Sequence, residues 1–215
     1  MFFSNSSSSP ITSLRVELSE QSQVLRSKLE SPDPSILSAA GVPRVESRSR
    51  VTLQCLFECL APFVDSPVLT MSFVHGGLAH AYPLPLPLCA PSFVEAVAPL
   101  EKDAFMQRWG TLAGEREAQE IVQLGRPVGA EDMLKVLKIV TEGIRMARCP
   151  AVDAANSVSA VGTFRTGAKD AAGNPVNVGC LVRVDGSGNA IRVTARTMHP
   201  SVSKAMKNVI VGAIK

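Results

Sequence analysis

The stretch GCLVRVDGSGNAIRVTART, residues 179–197, decides the fold of the second half of the chain. Apolar and polar residues alternate on either side of a glycine-rich centre, and this alternation predicts two antiparallel strands joined by a tight turn. A loop over residues 186–189 would place Arg183 directly opposite Arg192. The second strand then has one buried row and one outward row: Ile191, Val193 and Ala195 inward, and Arg192, Thr194 and Arg196 outward.

Two arginines that face each other across a hairpin repel, and Asp185, on the same face as Arg183, relieves only part of that repulsion. Two interpretations therefore remain open. The guanidinium groups are simply solvated, which the hairpin taken alone favours, or they bind an anionic ligand, because arginine is suited to bidentate recognition of carboxylates.

Helices are predicted on both sides of this hairpin. GAEDMLKVLKIVTEGIRMA, residues 129–147, predicts an amphipathic helix with one apolar stripe: Met133, Leu137, Val140 and Ile144. HPSVSKAMKNVIVGAI, residues 199–214, predicts a closing helix with Pro200 in its first turn. Its expected inward row consists of Val202, Met206, Val209 and Ala213. A shorter helix should run from Asp103, as its N-cap, to Leu112.

The first half of the chain shows the two-residue period of β-strands. The alternating stretches are SLRVELSE (13–20), RVTLQCLFECL (50–60) and PVLTMSFVHGGLAHAYPLPLPL (67–88). The last of these predicts two strands around a Gly76-Gly77 turn. Its second strand carries Pro83, Pro85 and Pro87, which cannot donate to a ladder, so this strand should lie at a sheet edge. Residues 31–43 are rich in turn formers and predict a loop.

Strands followed by a mixture of strands and helices predict an α+β chain with two subdomains, residues 1–90 and 91–215. The chain has 215 residues, of which 46% are hydrophobic and 19% charged, enough to bury a core. The formal net charge is only +3, and the basic residues are scattered along the chain. A nucleic-acid-binding protein would concentrate them, so we expect no nucleic-acid partner.

The five cysteines form no CxxC pair, and the three histidines do not complete a zinc site. We therefore expect reduced thiols and neither a metal nor a cofactor. The first residues lack the pattern of a signal peptide, and no run reaches the roughly 18 apolar residues that span a bilayer. These observations predict a soluble cytoplasmic protein.

Two stretches come close to motifs of enzymes and nucleotide-binding proteins. GTFRTGAK, residues 162–169, lacks a lysine directly after its second glycine, and Asp170 stands where a hydroxyl would meet magnesium. HGG, residues 75–77, would need a nucleophile in a G-x-S-x-G run, which the sequence does not contain. A hairpin turn explains these glycines better. No pair of carboxylates stands out as general acid and base, so we predict that the protein is not an enzyme.

DAFMQRW, residues 103–109, holds the only tryptophan of the chain. On a helix Phe105, Met106 and Trp109 would share one stripe, and this spacing favours core packing. Tryptophan and arginine are also the residues most enriched where binding energy concentrates. An exposed Trp109 beside the arginines of the hairpin would form a peptide-binding pocket. The residues alone leave both interpretations open.

Four motifs in the same order resemble the appendage, or ear, domain of the alpha-adaptin family, the large subunits of the plasma-membrane clathrin adaptor. The family's Phe-Phe-Gln-Arg-Trp helix run stands here as residues 105–109. Its Gly-Cys-Leu-Leu-Arg-Leu-Glu strand stands as residues 179–185, and its Arg-Leu-Thr-Leu-Arg-Thr strand as residues 192–197. APFVDSPVLTMSFVHGG, residues 61–77, is similar to its last sandwich strands. The resemblance is good over roughly residues 50–215 and weak before them.

The resemblance implies a partial Ig-like β-sandwich subdomain followed by an α/β platform, with no catalysis and no cofactor. The family's platform binds short Asp-Pro-Phe, Asp-Pro-Trp and Phe-x-Asp-x-Phe motifs of endocytic accessory proteins. Its trunk, which this sequence lacks, contacts the other adaptor subunits. The implied location is the cytosolic face of the plasma membrane at clathrin-coated pits, without insertion into the membrane.

Residue by residue, the resemblance implies a peptide-binding site made of Phe105, Met106, Trp109, Arg183, Asp185, Arg192 and Arg196. The two aromatic residues would frame a slot for an aromatic side chain. Arg183 and Arg192 would meet acidic or backbone groups of the ligand, with Asp185 as an acceptor and Arg196 in support. Met106 replaces an aromatic residue of the family and loses its flat face. Asp185 replaces a glutamate and reaches less far.

The start of the chain departs further from the family. MFFSNSSSS resembles the middle of the family's sandwich, so we expect a sandwich without its first strands, either trimmed or reduced. Such a sandwich has an unpaired edge that needs covering, and the family's second peptide site, on the sandwich, does not transfer. A rival assignment is the appendage of beta-adaptin or of a coatomer large subunit, which share the bilobal plan. The Arg108-Trp109 helix and the Arg183–Asp185 pair favour alpha-adaptin.

Overall fold

A computed structural model of the chain describes residues 2–18, 24–31, 37 and 41–215. The chain forms two compact units, one made of Met1–Ala61 and Ser66–Leu88 and the other of Pro62–Asp65 and Cys89–Lys215. The described part of the first unit contains strands, whereas the second combines strands with helices, so the fold is α+β as predicted. Within the described ranges, no helix has the length and apolar character needed to cross a membrane.

The first unit is built from short antiparallel strands. In its described residues these are β1 (Phe2–Ser4), β2 (Ile11–Leu18), β3 (Leu25–Glu30), β4 (Val42–Val45), β5 (Arg50–Thr52), β6 (Gln54–Cys59), β7 (Val68–His75) and β8 (Leu78–Pro85). A four-stranded sheet has the order β4-β2-β7-β8, and β1-β5 and β3-β6 form two-stranded sheets.

The sheets of the first unit pack their apolar sides together as a β-sandwich. Leu14 of β2 and Val42 of β4 share a buried cluster with Val51 of β5. Phe57 of β6 packs against a second cluster that contains Val16 of β2. The inward row of β2 therefore confirms the alternation predicted for SLRVELSE, of which residues 19 and 20 lie outside the described residues.

The single strand predicted over residues 50–60 is two strands. β5 pairs with β1, whereas β6 pairs with β3 in a different sheet. Val51 and Leu53 are both buried, at 8% and 1% exposure, so the apolar alternation continues through the break. Periodicity indicates which side chains face inward, but it does not indicate where the backbone changes from one partner strand to another.

The hairpin predicted around Gly76-Gly77 is confirmed. β7 and β8 pair along their whole lengths and leave a two-residue turn. The φ angles of the two glycines are +58° and +79°, and a type I′ turn requires positive φ at both central positions. β8 ends the order of its sheet, so the proline-rich strand lies at an edge as expected. Of the predicted loop over 31–43, residues 32–36 and 38–40 lie outside the described residues, and Val42 already belongs to β4.

The second unit has one large antiparallel sheet with helices on both faces. Its elements are a 3₁₀ turn (Ala90–Phe93), β9 (Val94–Ala96), α1 (Lys102–Thr111), a second 3₁₀ turn (Gly114–Arg116), β10 (Glu117–Gln123), α2 (Ala130–Lys138), a π-helical turn (Ile139–Gly143), β11 (Ala147–Arg148), β12 (Ser157–Lys169), β13 (Pro175–Ser187), β14 (Ala190–Thr197) and α3 (Pro200–Ile214). The sheet is six-stranded, with the order β10-β14-β13-β12-β11 and β9 paired to β12.

One face of this sheet, which we call the closed face, is covered by α3 and α2. Its rows are almost fully buried, as predicted for the second strand of the hairpin: Val182, Val184, Ile191, Val193 and Ala195 are at most 1% exposed. Gly186 of β13 allows α2 to approach, because a Cβ atom there would lie 2.8 Å from Val128 Cγ1 and 3.1 Å from Met133 Sδ.

The inward stripes of the two covering helices differ from the predicted ones. In α3 the buried row runs from Val202 through Met206 to Ile210, whereas Val209 is half-buried and Ala213 is exposed. Successive residues of the buried row are four positions apart, whereas the predicted row moved only three positions from Met206 to Val209.

The helix predicted over residues 129–147 changes its geometry partway. α2 ends at Lys138 and continues as the π-helical turn. Met133, Val140 and Ile144 are buried as predicted. Val136, however, takes the inward position expected for Leu137, which is half-buried.

The other face of the sheet, which we call the open face, is crossed only by α1 among the described helices. Phe105 and Leu112 pack there against Leu181 of β13 and Val161 of β12. The N-cap of α1 is Glu101 and not Asp103, which lies in the first turn where a carboxylate stabilises the helix dipole. Residues 162–169 lie in β12, so they do not form a phosphate-binding loop before a helix.

All five cysteines are free thiols: Cys55, Cys59, Cys89, Cys149 and Cys180. Burial raises the pKa of the Cys180 thiol to about 12 and that of Cys59 to about 11. These two thiols are therefore protonated and unreactive at neutral pH. Within the described ranges, no cluster of three or more His, Cys, Asp or Glu residues could hold a metal ion.

Candidate functional site

The pairing of the arginine hairpin differs from the one that the sequence predicts. Gly188-Asn189 alone joins the two strands, so the register is shifted by two residues. Arg183 lies opposite Thr194, and Asp185 lies opposite Arg192. The predicted opposition of two arginines is wrong because the glycine at position 188, with a φ of +59°, closes a two-residue turn and extends the first strand by two residues, to Ser187.

Asp185 joins the two arginines that the prediction set against each other. Its Oδ1 accepts a hydrogen bond from Arg183 Nε at 2.9 Å, and its Oδ2 accepts one from Arg192 Nη2 at 3.2 Å. The Asp185 side chain is 20% exposed, whereas that of Arg192 is 53% exposed. One carboxylate thus serves two guanidinium groups, which leaves one positive charge for a ligand.

Arg196 connects the sheet to α1. Its Nε donates to Glu117 Oε2 at 2.7 Å, and its Nη1 donates to the carbonyl oxygen of Trp109 at 2.6 Å. The guanidinium carbon lies 4.3 Å from the centre of the Trp109 ring, which is a cation–π contact. With its charge paired and its side chain only 16% exposed, Arg196 fixes the position of Trp109 and is poorly placed to hold a ligand itself.

The aromatic residues of α1 divide between the core and the surface. Phe105 is fully buried, and its ring stacks on that of Trp109 with 5.6 Å between centroids and an angle of 18°. Trp109 is half-buried, with Phe105 against one part of its ring and Arg196 above it. The core packing that the spacing of DAFMQRW favours is therefore confirmed for Phe105, whereas Trp109 keeps part of its ring at the surface and its role in peptide binding stays a prediction.

Two residues of the predicted site are placed differently from the expectation. Phe105 is 0% exposed, so it cannot frame a slot directly and instead supports the ring of Trp109. Met106 is 44% exposed but does not line the cavity beside Trp109. Both residues lie about one helical turn before Trp109; Phe105 is turned into the core against Leu181 and Val161, and Met106 lies outside the lining of this cavity.

A cavity of about 260 Å³, which we call the arginine cavity, opens beside Trp109 on the open face. It brings together five of the predicted residues and two others: Trp109, Arg183, Asp185, Arg192 and Arg196, with Gln119 and Thr194. Sequence reasoning missed Gln119 because it lies on β10, whose pairing with β14 no local pattern reveals. The stretch EAQEIVQ, residues 117–123, does not alternate regularly between apolar and polar residues, so it gave little signal for that strand.

A neighbouring cavity of about 390 Å³ continues the site along the open face. It shares Asp185 and Arg192 with the arginine cavity and extends to Ile121 of β10, which is 54% exposed. Ile121 lies directly opposite Arg192 in the ladder. The open face therefore presents an aromatic ring, a polar centre with excess positive charge, and an aliphatic side chain in succession. This arrangement is suited to recognition of a short acidic and apolar segment.

The comparisons with known proteins agree on one family. The family described as "Alpha adaptin AP2, C-terminal domain" matches residues 92–214. The chain is 25% identical over 217 aligned residues to the AP-2 complex subunit alpha-2 of Dictyostelium discoideum, covering 100% of the chain and 20% of that protein. It is 28% identical over 145 residues to the AP-2 complex subunit alpha of Schizosaccharomyces pombe, covering 66% of the chain and 15% of that protein. The chain thus spans a fifth or less of the length of these relatives.

Proposed function

Because the chain belongs to the alpha-adaptin C-terminal domain family, we propose that its second unit is the peptide-binding module of an AP-2 type clathrin adaptor. Its ligands are short motifs of the Asp-Pro-Phe, Asp-Pro-Trp and Phe-x-Asp-x-Phe types. The family is that of alpha-adaptin and not of beta-adaptin or a coatomer subunit, so the rival assignment has no support from the match.

The observation that carries this proposal is the sharing of Asp185 by Arg183 and Arg192 beside a half-buried tryptophan. The aspartate of a motif supplies the second carboxylate that two guanidinium groups require. A charge-assisted hydrogen bond in a partly desolvated cavity is stronger than one in water. Recognition of an acidic residue is therefore favoured at this point of the open face.

The aromatic residue of the motif fits beside Trp109. Its ring can pack against the exposed part of the indole, which Phe105 and Arg196 hold in a fixed orientation. A fixed aromatic anchor loses little conformational entropy on binding, which raises the affinity obtained from a small contact area. In motifs with two aromatic residues, the second one reaches the neighbouring cavity at Ile121, beyond Arg192.

The names of the relatives, which are alpha subunits of AP-2 complexes, support a cellular role for the module. We infer that the module recruits accessory proteins of clathrin-mediated endocytosis at the cytosolic face of the plasma membrane. We further infer that contact with the other adaptor subunits belongs to the remaining four fifths of such a protein. The module itself is an interaction domain rather than an enzyme.

The affinity for a single motif should be low. A segment of three to five residues buries well under the area of a standard protein interface, so we expect a dissociation constant in the micromolar range or weaker. A few contacts must then dominate the binding energy. We expect Arg192→Ala or Arg183→Ala to cost about 1.5–3 kcal/mol, the value of a charged hydrogen bond, or roughly ten- to a hundredfold in affinity.

Calorimetric titration of the chain with a synthetic Phe-x-Asp-x-Phe peptide tests this assignment. The peptide with its aspartate replaced by asparagine should lose binding to a similar extent, and the two losses should not add in a double-mutant cycle. Arg165→Ala, an exposed arginine of β12 paired with Glu95 outside both cavities, is the matched control and should leave affinity unchanged. Fully additive losses would show that the cavity arginines and the ligand aspartate do not meet.

A further inference from the structure

A separate cavity of about 360 Å³ lies on the open face and is lined partly by α1, as the arginine cavity is. Leu181 of β13 lines its floor together with Val161 of β12 and Leu112. Along β13 the open-face positions are Gly179, Leu181, Arg183 and Asp185. The last two belong to the arginine cavity, and the first two belong to this one. Leu181, packed against Phe105 of α1, therefore separates the two cavities.

The missing side chain of Gly179 provides part of the space in this cavity. A Cβ atom at this position would make an ordinary contact, 3.7 Å from Met198 Sδ, so a larger side chain would occupy the cavity. Met198 also lines the cavity and is 60% exposed, although it is apolar. Methionine adapts its shape to different partners and is frequent at binding surfaces. The floor and one wall are thus suited to an apolar side chain.

Two arginines give the cavity its charge. Arg108, in the last turn of α1, and Arg116, in the second 3₁₀ turn, both line it and are both exposed. In the part of the chain that the structure describes, neither guanidinium forms an ion pair or a hydrogen bond, and no carboxylate residue lines this cavity. In the arginine cavity, by contrast, each of the three arginines contacts a carboxylate.

We propose that this cavity, the basic cavity, is a second peptide-binding pocket, which takes an aliphatic side chain next to a carboxylate. The aliphatic side chain lies over Gly179 against Met198, and the carboxylate lies between Arg108 and Arg116. The apolar lining favours a side chain over a lipid headgroup, because a headgroup would leave Leu112, Val161 and Leu181 uncovered. The pocket is independent of the proposed function of the arginine cavity, and a ligand that fills both gains avidity without further contacts.

The test uses the whole chain with ¹³C-labelled methionine methyl groups and a defined probe, acetyl-Gly-Asp-Asp-Leu-Asp-Asp-Gly-amide. Met198 reports on the basic cavity, with its signal assigned through Met198→Leu. The fluorescence of Trp109, the only tryptophan, reports on the arginine cavity. We expect the Met198 signal to shift and saturate with the probe, and Trp109→Ala to leave that titration unchanged. Loss of binding in the basic cavity is thereby distinguished from loss of binding in the arginine cavity.

Variants of the basic cavity complete the test. Arg108→Gln combined with Arg116→Gln should weaken the probe about tenfold or more, as expected for a lost charge-assisted contact. Gly179→Leu should abolish binding by filling the space, and Gly179→Ala should weaken it less. The matched control, Arg126→Gln with Arg165→Gln, removes the same charge from two exposed positions outside the cavity and should have no effect.

Three results would overturn the proposal. The first is an unmoved Met198 signal at saturating probe, and the second is equal affinity of the double arginine variant. The third is co-sedimentation with phosphatidylcholine–phosphatidylserine vesicles that depends on Arg108 and Arg116 while the peptide does not bind. That last result would assign the cavity to an anionic membrane surface.

Discussion

The two faces of the six-stranded sheet are made by the same strands and differ in what covers them. On the closed face, Val184 of β13 and Val193 of β14 are 0% exposed beneath the helices. On the open face, Arg183 and Arg192 alternate with them along the same strands and reach a cavity. The two-residue period of a strand places adjacent residues on opposite faces, so that one is buried in the core while the next lines a cavity.

The number of covering helices explains the difference between the faces. α3 and α2 cover the closed face, whereas α1, with 10 residues, crosses the open face over Leu181 and leaves a cavity on each side. Polar residues can occupy the uncovered positions because they remain close to solvent. Burying the same arginines under a second helix would impose a large desolvation cost. The closed face supplies the stability that allows the open face to stay uncovered.

The largest expected effect is on the free energy of unfolding, when one residue from each face is replaced by alanine. Met206 of α3 is 0% exposed on the closed side, so Met206→Ala should cost about 2–5 kcal/mol of unfolding free energy through the cavity it leaves. Trp109→Ala should cost about 1–2 kcal/mol, because a half-exposed ring loses only part of the 3–5 kcal/mol of a buried aromatic. Urea unfolding followed by circular dichroism measures both. Equal losses would show that Trp109 belongs to the core.

The second-largest expected effect is on the affinity for a peptide. Trp109→Ala should weaken an Asp-Pro-Phe peptide by about 2 kcal/mol or more, the cost of removing a central anchor. Trp109→Phe, which keeps an aromatic face, should retain a substantial part of the affinity, and Met206→Ala should leave the affinity of the folded protein unchanged. Calorimetry at a temperature where every variant is folded decides this. A peptide that binds Trp109→Ala with unchanged affinity would remove the arginine cavity from the proposed function.

The local sequence pattern predicted most of the helices and strands, and for most strand residues it also predicted which face of the sheet they occupy. The inward row of β14 and the Gly76-Gly77 turn follow from alternation and turn chemistry, which are properties of neighbouring residues. The resemblance contributed the site, whose arginines, aspartate and tryptophan do lie around one cavity. A binding role for these residues remains a prediction.

The predictions that were wrong or incomplete depended on residues far apart in the sequence or on a shift of strand register by two residues. The hairpin register required a choice between turns of two and four residues, and that choice moved Arg192 from opposite Arg183 to opposite Asp185. The burial of Phe105 depends on Leu181 and other residues far along the chain. Gln119 joins the site only through the pairing of β10 with β14. Such pairings cannot be obtained from periodicity within a single segment.

A smaller effect concerns the carboxylate shared by the arginines. Asp185→Asn should strengthen an aspartate-containing peptide about threefold to tenfold at low salt, because both guanidinium groups then lack a counter-ion. The gain should shrink as salt is raised. Glu95→Gln, which removes a carboxylate from an exposed ion pair outside the cavities, is the control and should leave affinity unchanged. Weaker binding by Asp185→Asn would mean that this carboxylate accepts a hydrogen bond from the ligand itself, as the family resemblance implied.

The smallest expected effect is the loss of stability in acid at the start of α2, one of the two helices that cover the closed face. Arg126 donates two hydrogen bonds of 2.7 Å to Asp132 near the start of α2, and the backbone N–H of Gly129 donates a third at 2.8 Å. These bonds, with that from Arg126 first, lower the pKa of Asp132 from 3.8 to about 2. A carboxylate with a depressed pKa contributes stability above its unfolded pKa and loses that contribution as the pH falls through its folded pKa.

Asp132→Asn should therefore be less stable than the wild type by a constant amount above about pH 5, and the difference should vanish between about pH 4 and pH 2. Urea unfolding at pH 6, 4, 3 and 2 measures the window. Arg126→Gln removes the first cause of the shift, so it should raise the lower edge of the window towards pH 3.8 while the Gly129 bond remains. A stability difference that persists unchanged at pH 2 would show that Asp132 acts through its shape and not through its charge. In that case acid would not weaken the start of α2, and the closed face would be as insensitive to pH as its apolar rows.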